Sequence, residues 1–181
     1  MFQAKMMSLT NLILFILALL SVVSSQSLKE HDSTTGLGNV VIDNNMGITL
    51  YLWSVDAKEG PMHAVVPGAS YQETYRLRPD GGGISIKVST SQDINGDIIQ
   101  FEYTQAGEKV FWDVSCVNTK AGSPYYDKGI ILLPSNTNDC PHAFACFRGD
   151  SNCKYVYHKS SDDDAAHGCP IRTSFYLKLG I

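Results

Sequence analysis

An all-β sandwich or barrel is the fold this sequence predicts. Short runs rich in Val, Ile, Tyr and Phe recur along the chain. Turn signals built on Gly, Asn and Pro separate them. No window of helical length keeps a 3.6-residue apolar period. Strands this short, at this spacing, close into a sandwich or barrel. At 181 residues, one domain with a sizeable core is expected.

In chain order, residues 40–42, 49–55, 64–66, 71–77, 84–88, 98–103, 109–114, 130–133, 155–158 and 174–179 read as strands. Asn44-Asn45-Met46-Gly47 turns the chain after the first, and Pro67-Gly68 after the third. Pro79-Asp80-Gly81-Gly82-Gly83 precedes the fifth, Asn95-Gly96 the sixth, and Ala106-Gly107 the seventh.

The start of the chain reads as an address. Lys5 is the only charge before Lys29, residues 12–23 form an apolar run, and Val23-Ser24-Ser25 offers small residues to a signal peptidase. This predicts a secretory signal peptide over 1–25. The run falls short of the ~20 apolar residues that cross a bilayer, so no membrane association is expected after its removal. Residues 26–38 are polar and read as a loose tail, leaving 39–181 as the domain.

Lys+Arg 14 against Asp+Glu 18 leaves a net charge of −4, which argues against nucleic acid as a partner. With 44% apolar and 18% charged residues the chain is neither disordered nor collagen-like. Export makes disulfides the expected state of Cys140, Cys146, Cys153 and Cys169, and spacing alone leaves all three of their pairings open. Cys116 lies in an apolar strand-like run and is expected to be the unpaired thiol, buried and inert, with an intermolecular bridge as the alternative. No Asn-x-Ser/Thr sequon occurs.

One hairpin bears on function. Ile99, Phe101 and Tyr103 form the apolar face of one strand, and Val110, Trp112 and Val114 that of the next. Packing both into one core forces Glu102 and Asp113 onto the same outer face. A four-residue turn over 105–108 pairs Asp113 with Gln100, which sets Glu102 and Asp113 diagonally, with Cβ atoms about 7–8 Å apart. Carboxyl groups about 6.5–9.5 Å apart go with inverting glycoside hydrolysis, Glu102 as acid and Asp113 as base. The same two groups also suit plain hydrogen bonding to sugar hydroxyls. Tyr51, Trp53, Tyr103 and Phe111 offer stacking surface, although core packing is the expected role for most of them.

Phe101-Glu102-Tyr103-Thr104, Phe111-Trp112-Asp113-Val114-Ser115, Cys153-Lys154-Tyr155-Val156-Tyr157, Asp162-Asp163, Cys169-Pro170 and the closing Phe175-Tyr176-Leu177-Lys178-Leu179 resemble the ordered blocks of thaumatin-like proteins. Val40-Val41-Ile42-Asp43-Asn44-Asn45, the block from Leu50 to Val55, Pro67-Gly68-Ala69-Ser70-Tyr71 and Gly82-Gly83-Ile84-Ser85-Ile86-Lys87 are similar to those of the compact Blastomyces yeast-phase-specific protein family, a small fungal thaumatin-like group. The resemblance implies a thaumatin-like antiparallel β-sandwich with a disulfide-stapled C-terminal region, and the pairs Cys140–Cys169 and Cys146–Cys153. Met46 and the neighbourhood of Gly180 stand where the family usually carries a further bridge, which is absent here.

Larger thaumatin-like proteins carry a cleft of one Arg, one Glu and three Asp. The resemblance implies that Glu102, Asp113 and Asp162 hold three of those positions, with Lys87 in place of the Arg and Asn118 in place of another Asp. Lys keeps the charge of Arg without its planar fork, and Asn is no base. The implied protein is a small secreted non-catalytic binding protein, monomeric, whose partner is a cell-wall glycan such as β-glucan or, effector-like, an extracellular host protein. The alternative is a weak β-glucan hydrolase or antifungal protein working through Glu102 and Asp113.

Other motifs carry less. Asp93-Ile94-Asn95-Gly96-Asp97 has the start of a calcium loop, but Ile98 stands where Gly is needed and Thr104 where Glu is needed, so a hairpin turn at Asn95-Gly96 explains it better. Asp162-Asp163-Asp164 reads as a solvated loop, and His142 and His158 lack zinc-ligand spacing among the cysteines. No metal or cofactor is expected. No Ser lies in a Gly-x-Ser-x-Gly elbow.

Overall fold

The computed structural model describes residues 36–159, 161 and 165–181. The leader expected over 1–25 and all but the last three residues of the expected tail lie outside the described residues. Of those three, Gly38 donates its N–H to the Ile171 carbonyl at 2.8 Å and accepts from Tyr75 N, which ties the chain down before the first strand.

Eleven strands are described: β1 (Asn39–Asn44), β2 (Leu50–Val55), β3 (His63–Val65), β4 (Ser70–Thr74), β5 (Ile84–Ser89), β6 (Ile98–Ala106), β7 (Lys109–Ser115), β8 (Ile130–Pro134), β9 (Phe144–Cys146), β10 (His167–Pro170) and β11 (Phe175–Leu179). One short helix, α1 (Pro124–Lys128), precedes β8. They form a five-stranded sheet, β4-β1-β11-β8-β9, and a six-stranded sheet, β10-β7-β6-β5-β2-β3. Every pairing is antiparallel except that of β1 with β11, where the two ends of the domain lie side by side.

Alternation along β1, β5 and β11 builds much of the core. Val40 and Ile42 of β1 and Phe175, Leu177 and Leu179 of β11 are buried, as are Ile84, Ile86 and Val88 of β5. The residues between them face outward. Trp112, Phe101 and Phe175 meet at the centre, with ring centroids 4.4 Å apart for Trp112–Phe175 and 6.0 Å for the stacked Phe101–Trp112 pair. Aromatic packing of this kind adds about 0.5–1.5 kcal/mol per pair beyond burial.

Two bridges staple the C-terminal region, Cys140–Cys169 and Cys146–Cys153, and Cys116 is free and buried. Burial in apolar surroundings pushes the Cys116 thiol up to about 11, away from the reactive thiolate. Met46 and Gly180 are neighbours, as a lost bridge requires. A Cβ on Gly180 would lie 3.1 Å from Met46 N, and Asn45 N donates to the Leu179 carbonyl at 2.8 Å. The tie between the domain's ends is now made by backbone and by the buried Met46.

Some elements differ from the expected ones. Residues 155–158 form no strand; Tyr157 makes one parallel bridge to Ser115, with Tyr157 N on Val114 O and Cys116 N on Tyr157 O. The seven-residue Cys146–Cys153 closure holds the preceding segment in turns, leaving room for two ladder bonds only. β9 and β10 are short edge strands, and weak β-formers fill β10. At β10, Gly168 is opposite Phe111, and a Cβ there would lie 3.0 Å from that ring.

Helix α1 follows from local chemistry: Pro124 at the first position and Ser123 as cap, its hydroxyl accepting from Tyr125 N at 3.3 Å. The same hydroxyl donates to Asp97 Oδ2 at 2.6 Å, and Lys120 N donates to Asp97 Oδ1 at 2.7 Å. Asp97 therefore serves the 118–124 loop. Ser123→Ala is expected to cost about 1–2 kcal/mol, from a lost cap and an unpaired Asp97 oxygen. A urea titration checks it, and an unchanged midpoint would show that the cap is idle.

Candidate functional site: an acidic cleft on the six-stranded sheet

The site is built on the outer face of β5, β6 and β7. Glu102 and Asp113 share that face, as the alternation predicts, but their register differs from the expected one. The β6–β7 loop is Gly107-Glu108, not a four-residue turn, and Ala106 pairs with Lys109. Gly107 has φ 58° while Glu108 does not turn positive, the pattern of a two-residue II′ hairpin. Glu102 is consequently directly opposite Asp113. Direct cross-strand partners have Cβ atoms about 4.5–5.5 Å apart, so the wide spacing that goes with inversion is replaced by a close pair.

The aromatic core lies beneath this pair. Phe101 and Trp112, each next in sequence to one of the acids, are buried. Asp113 is half-buried, and its Oδ1 is sealed from solvent with no hydrogen-bond partner. Burial first, and the charge of Glu102 second, push its carboxyl up to about 7. Below neutral pH Asp113 therefore holds a proton beside Glu102.

An open cleft of ≈ 410 Å³ lies over the pair, with Ser85, Thr104 and Phe111 on the sheet and Val55 and Asp56 at one end. That volume is within the usual range of small-ligand sites. Phe111 is 47% exposed, on the same face as Asp113 and opposite Thr104. Of the other aromatics weighed for stacking, Trp53 and Tyr103 are buried and Tyr51 is half-buried.

The remaining expected site residues are dispersed. Lys87 is on the same face, one row along, opposite Gln100 and Trp53; it does not line the cleft. Among the described residues it makes no ion pair with either acid. Asn118 is exposed, and its Oδ1 accepts from Gln100 Nε2 at 3.2 Å. Gln100 in turn accepts from Ser85 Oγ at 3.1 Å. Asp162 lies outside the described residues.

Sequence reasoning missed the rim. Asp56 follows the last residue of β2, and Arg76 Nη1 donates to its Oδ2 at 2.9 Å. Arg76 Nη2 donates to Ser54 Oγ at 2.6 Å. Glu73 accepts from two phenols, Tyr71 and Tyr103, each at 2.8 Å. The short-range pattern holds no signal for this group, because its members come from the end of β2, from β4 and its exit, and from β6.

Two sheets packed as a sandwich, a doubly bridged C-terminal region and an acid pair on the outer face of the larger sheet define a thaumatin-like protein. The family model described as Blastomyces yeast-phase-specific protein matches residues 28–180, and the chain belongs to that family. It is 38% identical over 144 residues to the secreted thaumatin-like protein calA of Emericella nidulans, covering 79% of this chain and 81% of that one. It is 39% identical over 144 residues to an antigenic thaumatin-like protein of Arthroderma benhamiae, covering 79% and 71%. The solved protein elicitor MoHrip2 of Magnaporthe oryzae has the same fold, with TM-score 0.61 and 20% identity over 80% of this chain and 99% of that one. The protein is a secreted, extracellular thaumatin-like protein.

Proposed function

We propose that the protein is a non-catalytic extracellular binding protein that takes a cell-wall glycan, β-glucan being the first candidate, in the cleft over Glu102 and Asp113. The observation that carries this is the close Glu102/Asp113 pair beside the exposed ring of Phe111. Carboxyl groups exchange hydrogen bonds with hydroxyls, and an exposed ring next to them takes the apolar face of a sugar. The close pair leaves no room for the water of an inverting hydrolase and falls nearer the ~5–5.5 Å spacing of retaining ones, so release of sugar is the outcome that separates binding from hydrolysis. Neither a Lys87 cation nor an Asn118 oxygen is offered to the cleft.

The test incubates the oxidised secreted protein with soluble and insoluble cell-wall glycans, scoring binding and released sugar together. Binding without release is expected, weakened about tenfold by Phe111→Ala or Glu102→Gln with the folded state retained. Sugar release abolished by Glu102→Gln would place the protein among hydrolases instead. Absence of both binding and release would discard the glycan reading and turn the search to an extracellular protein partner.

A further inference from the structure

The Cys146–Cys153 bridge closes a small ring through Phe147, Arg148, Gly149, Asp150, Ser151 and Asn152. Both cysteines are buried, and every residue between them is exposed. At the tip, Asp150 N donates to the Phe147 carbonyl at 3.0 Å, with Gly149 in the third position of that turn at φ 83°. This is a type II turn, whose third position needs a positive φ and so favours Gly. Two further bonds fix the tip. Gly149 N donates to the Tyr126 carbonyl of α1 at 2.8 Å, and Asn152 N donates to Asp150 Oδ1 at 3.1 Å. A Cβ on Gly149 would meet nothing within 4 Å, so the outer side of the turn is open to a partner.

We propose that this turn is an adhesion epitope: an Arg-Gly-Asp tip read by a cell-surface receptor whose groove pairs an acidic pocket with a bound divalent cation. It shares no residue with the lining of the cleft over Glu102 and does not rest on the glycan reading. The Arg148 guanidinium presents a planar fork that suits a carboxylate-lined pocket. The Asp150 carboxylate is a hard oxygen donor of the kind a divalent cation takes. Its Oδ1 holds the turn through Asn152, which leaves Oδ2 for the receptor's cation. Among the described residues Arg148 and Asp150 make no ion pair with each other. Arg148 Nη2 donates to the Ile181 backbone oxygen in an exposed bond. Exposed bonds of this kind are weak, so the guanidinium can exchange that oxygen for a receptor carboxylate. On the ring, α1 and the residue after the ring, the cations Arg148, Lys128 and Lys154 stand against Asp150 and Asp127. The positive excess favours an acidic partner surface. Phe147, beside Arg148, is 70% exposed and adds an aromatic at the edge of the epitope. The closed ring holds the turn before any receptor arrives, so binding requires little ordering.

The test immobilises the oxidised mature protein and measures capture of purified integrin ectodomains that bind Arg-Gly-Asp peptides. Capture is expected in Mg²⁺, with loss in chelator and competition by a soluble Gly-Arg-Gly-Asp-Ser peptide. Asp150→Glu keeps the charge but moves the carboxylate out by one methylene, and should weaken capture at least about tenfold. Opening the ring with Cys146→Ser and Cys153→Ser leaves the tripeptide in the chain. It should weaken capture about tenfold, because the turn must then order on binding. Urea midpoints confirm that the variants are folded, and the chelator and competition arms use wild type alone. Capture that survives chelator, peptide or Asp150→Glu would overturn the epitope. So would failure of wild type to capture any ectodomain, and equal capture by the opened ring would overturn the role given to the bridge. None of these outcomes bears on the glycan reading of the other cleft.

Discussion

Replacing Asp113 with asparagine is expected to make the protein more stable at and above neutral pH. The Asp113 carboxyl sits at about 7 in the folded chain against an ordinary 3.8. Between those values the native state holds a proton that the unfolded chain has released, so wild-type stability falls as pH rises through the window and levels off above it. The folded carboxylate above about pH 7 is destabilising by up to ~4 kcal/mol, about three units at 1.36 kcal/mol each. Asparagine has nearly the same shape and no charge, and Asp113 Oδ1 has no partner to lose. Urea midpoints from about pH 4 to pH 8 should therefore fall for wild type and stay level for Asp113→Asn, the two curves diverging as pH rises. Parallel curves would mean that the Asp113 carboxyl is solvated and titrates in the ordinary carboxylate range.

Removing the Cys140–Cys169 bridge is expected to destabilise more than removing Cys146–Cys153. Loop-closure entropy alone assigns about 3–4 kcal/mol to a separation of 29 and about 2–3 to a separation of 7. Packing adds to the difference. Cys140 and Cys169 are 0% and 1% exposed, and Trp112 Nε1 donates to Cys169 Sγ at 3.4 Å. The paired alanines would therefore open space beside the central indole. The bridge also pins β10, an edge strand whose other tie to the sheet is four residues of pairing with β7. Urea titrations of the two double-alanine variants decide the matter. An equal or reversed order would show that β10 holds without its covalent tie.

Much of this architecture was legible in the chain. Period-two alternation in residues 98–103 and 109–114 assigned Phe101, Trp112 and Val114 to the core and Glu102 and Asp113 to the outside, because a sheet with one buried face leaves each residue only two orientations. Local pattern could not measure the turn between those strands. Ala106-Gly107 announces a reversal, but closures of two and four residues differ in register by two and bury the same faces, so alternation cannot choose between them; the two-residue II′ turn brought the acids directly opposite each other. The disulfide pairing is a comparable case. Spacing left three choices, the family resemblance selected one, and the fold realises it because β10 runs beside β7 with Cys169 facing inward.

Periodicity and composition by themselves determined the all-β class, the outward face of the acids and the burial of Cys116, since each depends on a few neighbouring residues. Only the tertiary structure decided that Asp113 is protonated near neutrality, that Lys87 and Asn118 stand outside the cleft, and that Asp56, Glu73 and Arg76 assemble at its rim. Desolvation and ion pairing are set by what the rest of the chain brings within a few ångströms. That is a property of strand order and register, and neither is carried by any short stretch of residues.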